Sequence, residues 1–173
     1  MLTEAQVNYL NKLSKEIADR SVQVYPWDKK GMDIADSIIR EIKFVVPELE
    51  VIFIGSVPLK IAGQKDIDLS VLGLAQSFPE YQRKLGALFG QPDKLSKTAI
   101  GWHFLKDDYE VGVYLTDPVT SKIKEQVDIF NLLRNNVELL REYENLKLSS
   151  NGLSYREYQI KKYMFFNRVL GIN

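Results

Sequence analysis

Cysteine is absent from the 173-residue sequence, and histidine occurs only once, as His103. Disulfide bonds, thiolate metal sites and a histidine-rich zinc site are therefore excluded. No second histidine or cysteine is available to complete a nucleophilic dyad. The position of His103 directly after Trp102, in a predicted edge-like strand, favours a structural role for this residue over a catalytic one.

The sequence also has no net charge and no long apolar run. The 23 lysines and arginines balance the 23 aspartates and glutamates, so no global charge attracts nucleic acid or an anionic membrane. No apolar run approaches the roughly 20 residues that span a bilayer, and the N-terminus reads as a polar helix rather than a signal segment. We therefore expect a cytoplasmic protein with no membrane partner.

The predicted fold class is α+β, a small mixed sheet flanked by helices with a C-terminal helical part packed on it. The length fits one domain, residues 1–173, in which 1–117 form the α/β core and 118–173 the helical part. Apolar periodicity predicts helices over 3–19, 28–46, 78–89, 118–135, 137–148 and 154–170, and strands over 49–54, 66–72, 99–105 and 109–115. The first strand is apolar on both faces, which predicts a central position.

Two aspartates stand out in the second strand, Asp66–Leu72. Residues two apart in a strand share a face, so Asp66 and Asp68 point the same way and the apolar residues between them point into a core. Aspartate is depleted in strands, and neighbouring like charges are destabilising. Such paired oxygen donors suit Mg²⁺ or Mn²⁺. The alternative is a solvent-facing strand with two surface carboxylates.

Gly55-Ser56 follows the first strand, and nine residues separate it from Asp66. Glycine lets a ligand approach the backbone closely, and backbone N–H groups with a serine hydroxyl can bind phosphate. By itself this dipeptide is more often a simple strand-ending turn than a phosphate site. In combination, Ile54-Gly55-Ser56 and Asp66-Ile67-Asp68-Leu69 resemble the signature of the nucleotidyltransferase superfamily typified by DNA polymerase β. The resemblance implies that Gly55 and Ser56 hold nucleotide phosphates and that Asp66 and Asp68 bind two metal ions.

A narrower resemblance, to the GrpB-like family of bacterial proteins, covers about 150 residues on our estimate, and that family is assigned to the nucleotidyltransferase fold. It rests on short motifs in a fixed order. They are Val22–Asp28, Ile54–Pro58, His103–Lys106, Phe130–Asn135, Tyr143–Lys147 and the spacing Tyr158, Lys162, Phe165.

The strand Tyr109–Leu115 departs from both patterns. Polymerase-type enzymes carry a third carboxylate on a later strand, and GrpB-like proteins tend to show His-x-His there. Here Glu110, Gly112 and Tyr114 share a face. The resemblance makes Glu110 the candidate third metal ligand or general base, and the alternative is a surface glutamate.

Two lysines are candidates for the phosphate tail of a nucleotide. Lys162 lies within an apolar and aromatic helical stripe, where it either extends to the surface or reaches a buried anion. Lys106, at a hairpin turn, is either a solvated turn residue or a phosphate contact.

The expected function is a Mg²⁺- or Mn²⁺-dependent nucleotidyltransferase that moves a nucleotidyl group from a nucleoside triphosphate to an acceptor hydroxyl on a small molecule, a protein or tRNA. A second hypothesis is a non-catalytic protein with a degenerate fold that binds a nucleotide or a phosphorylated metabolite. A third is an RNA-directed module, which the balanced charge disfavours.

Overall fold

The computed structural model describes residues 1–119 and 121–172, and the side chains of Ser121 and Lys122 are left out of the description. A five-stranded mixed sheet has the order β1-β2-β5-β4-β3. Strands β2 and β5 are parallel and the other neighbours antiparallel. The strands are β1 (Glu50–Ile54), β2 (Asp66–Leu72), β3 (Lys94–Leu95), β4 (Ala99–Lys106) and β5 (Tyr109–Thr116). The predicted α+β class is confirmed.

The helices surround this sheet. A 3₁₀ turn, Ala75–Ser77, precedes α5. The α-helices are α1 (Glu4–Lys12), α2 (Lys15–Asp19), α3 (Lys30–Val45), α4 (Ser56–Leu59), α5 (Phe78–Phe89), α6 (Ser121–Asn135), α7 (Val137–Ser149) and α8 (Tyr155–Leu170). Among the described residues, no helix has the length and apolarity required to cross a membrane.

One face of the sheet, called the core face below, packs against α3 and α5. Its buried side chains alternate along β2, as Ile67, Leu69 and Val71, and they meet Ile38 and Leu85 of the two helices. Strand alternation therefore directs the residues between them, Asp66, Asp68 and Ser70, to the opposite face. We call this the site face, and it also carries Gly112 and Tyr114 of β5 and His103 of β4.

The C-terminal helices form a second core beside the site face. Leu59 and Ile61, which follow β1, pack against Leu133 of α6, Tyr143 of α7 and Phe165 of α8. This packing holds α7 and α8 next to the segment that joins β1 to β2. Helix α8 begins with a capping box at Ser154.

Three local predictions need correction. Strand β1 is an edge strand rather than a central one. It is apolar on both faces because Val51 and Phe53 pack against the core formed with α3 and α5, and α6 also contacts the strand. The predicted first helix is broken, since Leu13 ends α1 and the Ser14 side chain caps α2. Pro118 lies in a turn rather than at a helix start, and α6 begins at Ser121.

Candidate active site

The turn after β1 requires glycine. Gly55 has φ 110° and ψ −166°, a backbone region that side-chain-bearing residues essentially do not adopt. A Cβ at this residue would meet no atom within 4 Å, so the backbone faces open space. The turn therefore lets a ligand approach the chain immediately before Ser56, as the sequence predicts for a phosphate-binding turn.

Ser56 and Asp66, which lie ten positions apart in the sequence, converge at Gly63. A Cβ placed on Gly63 would be 2.1 Å from Ser56 Oγ and 3.9 Å from Asp66 Oδ1. Gly63 is held there by two backbone hydrogen bonds with Tyr25, which are 2.8 and 3.0 Å long. The structure therefore brings the Gly-Ser turn and the first aspartate together, and the missing side chain of Gly63 makes this possible.

Asp68 lies on the site face near the start of β2. It pairs with Ile54, the residue before the Gly-Ser turn, and on its other side with Gly112 of β5. Its side chain reaches solvent, yet the surrounding protein removes much of its hydration. Desolvation and the neighbouring charge of Asp66 raise the pKa of Asp68 to about 6. The ionised pair is therefore unfavourable in the metal-free protein.

Within the described part of the chain, no cation forms a direct ion pair with either aspartate. Among the side chains that the structure describes, neither Asp66 nor Asp68 takes part in a salt bridge. The described residues also contain no group of three His, Cys, Asp or Glu side chains arranged to hold a metal. Two carboxylates on an accessible face fit Mg²⁺, which is typically bound by one or two carboxylates, water and substrate phosphates.

Two lysines of the C-terminal helices lie close enough to the aspartates for their charges to interact. The positive charge of Lys162, on α8, lowers the pKa of Asp68 and thus partly offsets the desolvation. Its Nζ lies over the rings of Tyr158 and Phe166, at 5.9 and 5.7 Å from their centroids. The charge of Lys162 therefore reaches the site, and Tyr158 belongs to the aromatic stripe predicted from the sequence, whereas Phe166 does not.

Lys147 was not predicted as a site residue. Its side chain is 4% exposed, and its Nζ donates a hydrogen bond of 3.2 Å to the Tyr158 hydroxyl. Burial lowers the pKa of Lys147, while the charges of Asp66 and Asp68 act in the opposite direction. Its spacing of four from the buried Tyr143 is the sequence signal that could have identified it, because the two residues share a helix face.

Two other predicted site residues, Glu110 and Lys106, form ion pairs with residues outside the predicted site. Glu110 pairs in register with Asp66 on the site face, but its Oε1 lies 3.9 Å from Arg20 Nη1. Lys106 points to the core face, where its Nζ is 3.7 Å from Glu41 Oε1 of α3. Side chains along a strand alternate between the two faces of the sheet. Since His103 is on the site face, residue 105 is on that face too and Lys106 is on the other. The structure does not bring Lys106 to Asp66 and Asp68.

A line of polar side chains crosses the site face towards Asp68. His103 Nδ1 is 2.7 Å from Asp93 Oδ1, and His103 Nε2 is 2.9 Å from the Tyr114 hydroxyl. A hydrogen bond from Tyr114 lowers the pKa of Asp68. Sequence reasoning gave His103 a structural role and did not identify Tyr114 or Asp93, because these contacts join residues that are adjacent only after the strands pair.

No family model matches the chain. Over 39 residues, which are 22% of the chain, the sequence is 51% identical to a UPF0157 protein of Vibrio cholerae, and this match covers only 21% of that protein. The crystal structure of the conserved protein GrpB from Enterococcus faecalis matches with a TM-score of 0.61 and 19% identity, over 86% of this chain and 93% of that one. The chain has the GrpB fold, which confirms the predicted resemblance at the level of fold.

A structure of Cid1 in complex with the UTP analogue UMPNPP is a more distant match. Its TM-score is 0.45 and its identity 15%, over 79% of this chain and 40% of that one.

Proposed function

We propose that this GrpB-fold protein is a Mg²⁺- or Mn²⁺-dependent nucleotidyltransferase that acts on a nucleoside triphosphate and an acceptor hydroxyl in the cytoplasm. One observation carries the proposal: Ser56 and Asp66 converge at Gly63, Asp68 pairs with the residue before the Gly-Ser turn, and the charges of Lys147 and Lys162 act on the aspartates. A metal-bound triphosphate requires a turn that is open to phosphate, carboxylates that are available to the metal, and nearby cations. The two aspartates have no ion-pair partner among the described residues.

Each part of the site has a distinct task in this proposal. Asp66 and Asp68 would hold the metal, which when bound neutralises charge on the α-phosphate and on the departing pyrophosphate. The backbone after Gly55 and the Ser56 hydroxyl bind phosphate oxygens as hydrogen-bond donors. Lys162 and Lys147 supply positive charge near the aspartates, and these carboxylates favour the charged form of Lys147 against the effect of its burial.

A second candidate function is binding of a nucleotide or a phosphorylated metabolite without chemistry. It is favoured by the lack, among the described residues, of a third acidic or histidine side chain grouped with Asp66 and Asp68. The two functions differ in one product, because only the enzyme releases pyrophosphate from a nucleoside triphosphate in the presence of metal.

A thermal-shift screen of nucleoside triphosphates with and without Mg²⁺ tests the site. A nucleotide at 100 times its dissociation constant is expected to stabilise the wild type by about 2.7 kcal/mol. The Asp66→Ala variant is expected to show no such shift, because one of its two metal ligands is missing. The proposed function fails if no nucleotide shifts the wild type, or if the variant responds as the wild type does.

We also propose Glu110 as a third carboxylate of this site. Its ion pair with Arg20 is exposed and 3.9 Å long, so releasing it costs at most about 1 kcal/mol. Because Glu110 stands beside Asp66 in the sheet, a side-chain rotation is sufficient to direct it towards a bound metal.

Glu110→Gln is therefore expected to weaken Mn²⁺ binding about tenfold, a lost metal interaction of about 1.4 kcal/mol. Isothermal titration calorimetry with Mn²⁺ measures the change. Glu50→Gln is the matched control, because Glu50 lies at the other end of the sheet, opposite Leu72. An unchanged affinity in Glu110→Gln removes Glu110 from the site.

A further inference from the structure

We propose that Tyr114, held by His103 and Asp93, is a positioning residue that orients the Asp68 carboxylate for metal binding. The inference rests on the proposed metal site and adds three residues to it. Its basis is a continuous row across three strands, in which Asp68 of β2 pairs with Gly112 of β5, and Gly112 pairs with His103 of β4.

The ring of Tyr114 occupies the space above Gly112, which has no side chain of its own. A Cβ on Gly112 would lie 2.7 Å from the Tyr114 hydroxyl oxygen and 2.8 Å from its ring. Gly101, the cross-strand partner of Tyr114, likewise leaves the ring room, because a Cβ there would be 3.3 Å from it. The hydroxyl therefore lies above Gly112, between Asp68 and His103, where a side chain at position 112 would otherwise stand.

His103 and Asp93 fix the hydroxyl in this position. A carboxylate only accepts hydrogen bonds, so His103 Nδ1 donates to Asp93 across 2.7 Å. The oxygen of the Tyr114 hydroxyl lies 2.9 Å from His103 Nε2, and its proton is the donor towards Asp68. Carboxylates that bind metals depend on such supporting hydrogen bonds for their orientation.

The test is Mn²⁺ affinity of the full chain, measured by calorimetry or by the electron paramagnetic resonance of free Mn²⁺. Tyr114→Phe keeps the ring over Gly112 and removes only the hydroxyl. We expect it to weaken Mn²⁺ binding about 10- to 100-fold. His103→Ala is expected to weaken binding too, and because His103 is exposed its replacement leaves the core intact. The double variant is expected to bind no more weakly than Tyr114→Phe, since the two residues act through one chain of hydrogen bonds.

Tyr109→Phe is the matched control. Tyr109 is on the same strand, but its hydroxyl donates to Asp28 Oδ1 at 3.0 Å, away from the row that leads to Asp68. Its loss is expected to leave Mn²⁺ affinity as in the wild type. If the wild type binds Mn²⁺ and Tyr114→Phe binds it equally well, the positioning role is overturned and the metal site stands. If the wild type binds no Mn²⁺, the proposed function and this inference both fail.

Discussion

Replacing Asp68 by asparagine is expected to stabilise the metal-free protein at neutral pH and to abolish its response to metal and nucleotide. The folded state holds the ionised Asp68 carboxylate among partly desolvating groups and beside the charge of Asp66, which raises its pKa from 3.8 to about 6. Asparagine removes that charge. After allowance for the solvent exposure of Asp68, the expected gain is about 1 kcal/mol, or about 2–4 °C in Tm for a chain of this size.

The pH dependence of this gain follows from the direction of the shift. A carboxyl with a raised pKa binds its proton more tightly in the folded state, so this group favours folding in acid. Below 3.8 the carboxyl is neutral in both states and the variant has no advantage. The advantage grows as the pH rises from there to about 6 and is constant above it. Scanning calorimetry of both proteins in EDTA across this range measures it.

Metal reverses the comparison. With Mg²⁺ and a nucleoside triphosphate in 100-fold excess over the dissociation constant, the wild type gains about 2.7 kcal/mol and becomes the more stable protein. The variant has one carboxylate less and is expected to gain nothing, nor to release pyrophosphate. A variant that is less stable than the wild type in EDTA, or one that keeps the nucleotide shift, contradicts this account of Asp68.

The features read correctly from the sequence are local ones. The alternation of Asp66 and Asp68 with apolar residues predicted which way they point, because side-chain direction follows from strand geometry alone. The hairpin between β4 and β5 also followed from a short polar turn, and Asp107 and Asp108 adopt the positive φ values, 50° and 69°, that such a turn requires.

The features that were not predicted from the sequence depend on which strands and helices become neighbours in the fold. An edge strand covered by α6 has the same apolar pattern as a central strand, so the predicted central position of β1 was wrong. Strand alternation directs Lys106 to the opposite face of the sheet from His103. The sequence did not show which of these faces carries the aspartates, because that depends on the order of the strands. Lys147 resembles an ordinary helix-surface lysine until α7 packs on α8 and buries it.

Gly63→Ala is expected to have the largest destabilising effect of the variants considered. The new Cβ would lie 2.1 Å from Ser56 Oγ and 2.8 Å from Ser56 Cβ, both far closer than atoms can approach. The backbone cannot easily retreat, because Gly63 is hydrogen-bonded to Tyr25 through both its N–H and its C=O. Overpacking of this kind typically costs about 1–3 kcal/mol, and the pinned backbone puts the expected loss near the upper end.

Chemical denaturation and nucleotide-induced thermal shifts together test the cause of this loss. Gly86→Ala is the matched control, because a Cβ on Gly86 meets nothing within 4 Å in α5 and is expected to add about 0.5–1 kcal/mol of stability. Adding Ser56→Gly to Gly63→Ala removes the clashing atoms and is expected to recover stability, but not nucleotide binding, since the Ser56 hydroxyl is gone. A Gly63→Ala protein as stable and responsive as the wild type would show that Ser56 and Asp66 do not meet at Gly63, and the candidate site would lose the contact that joins its two motifs.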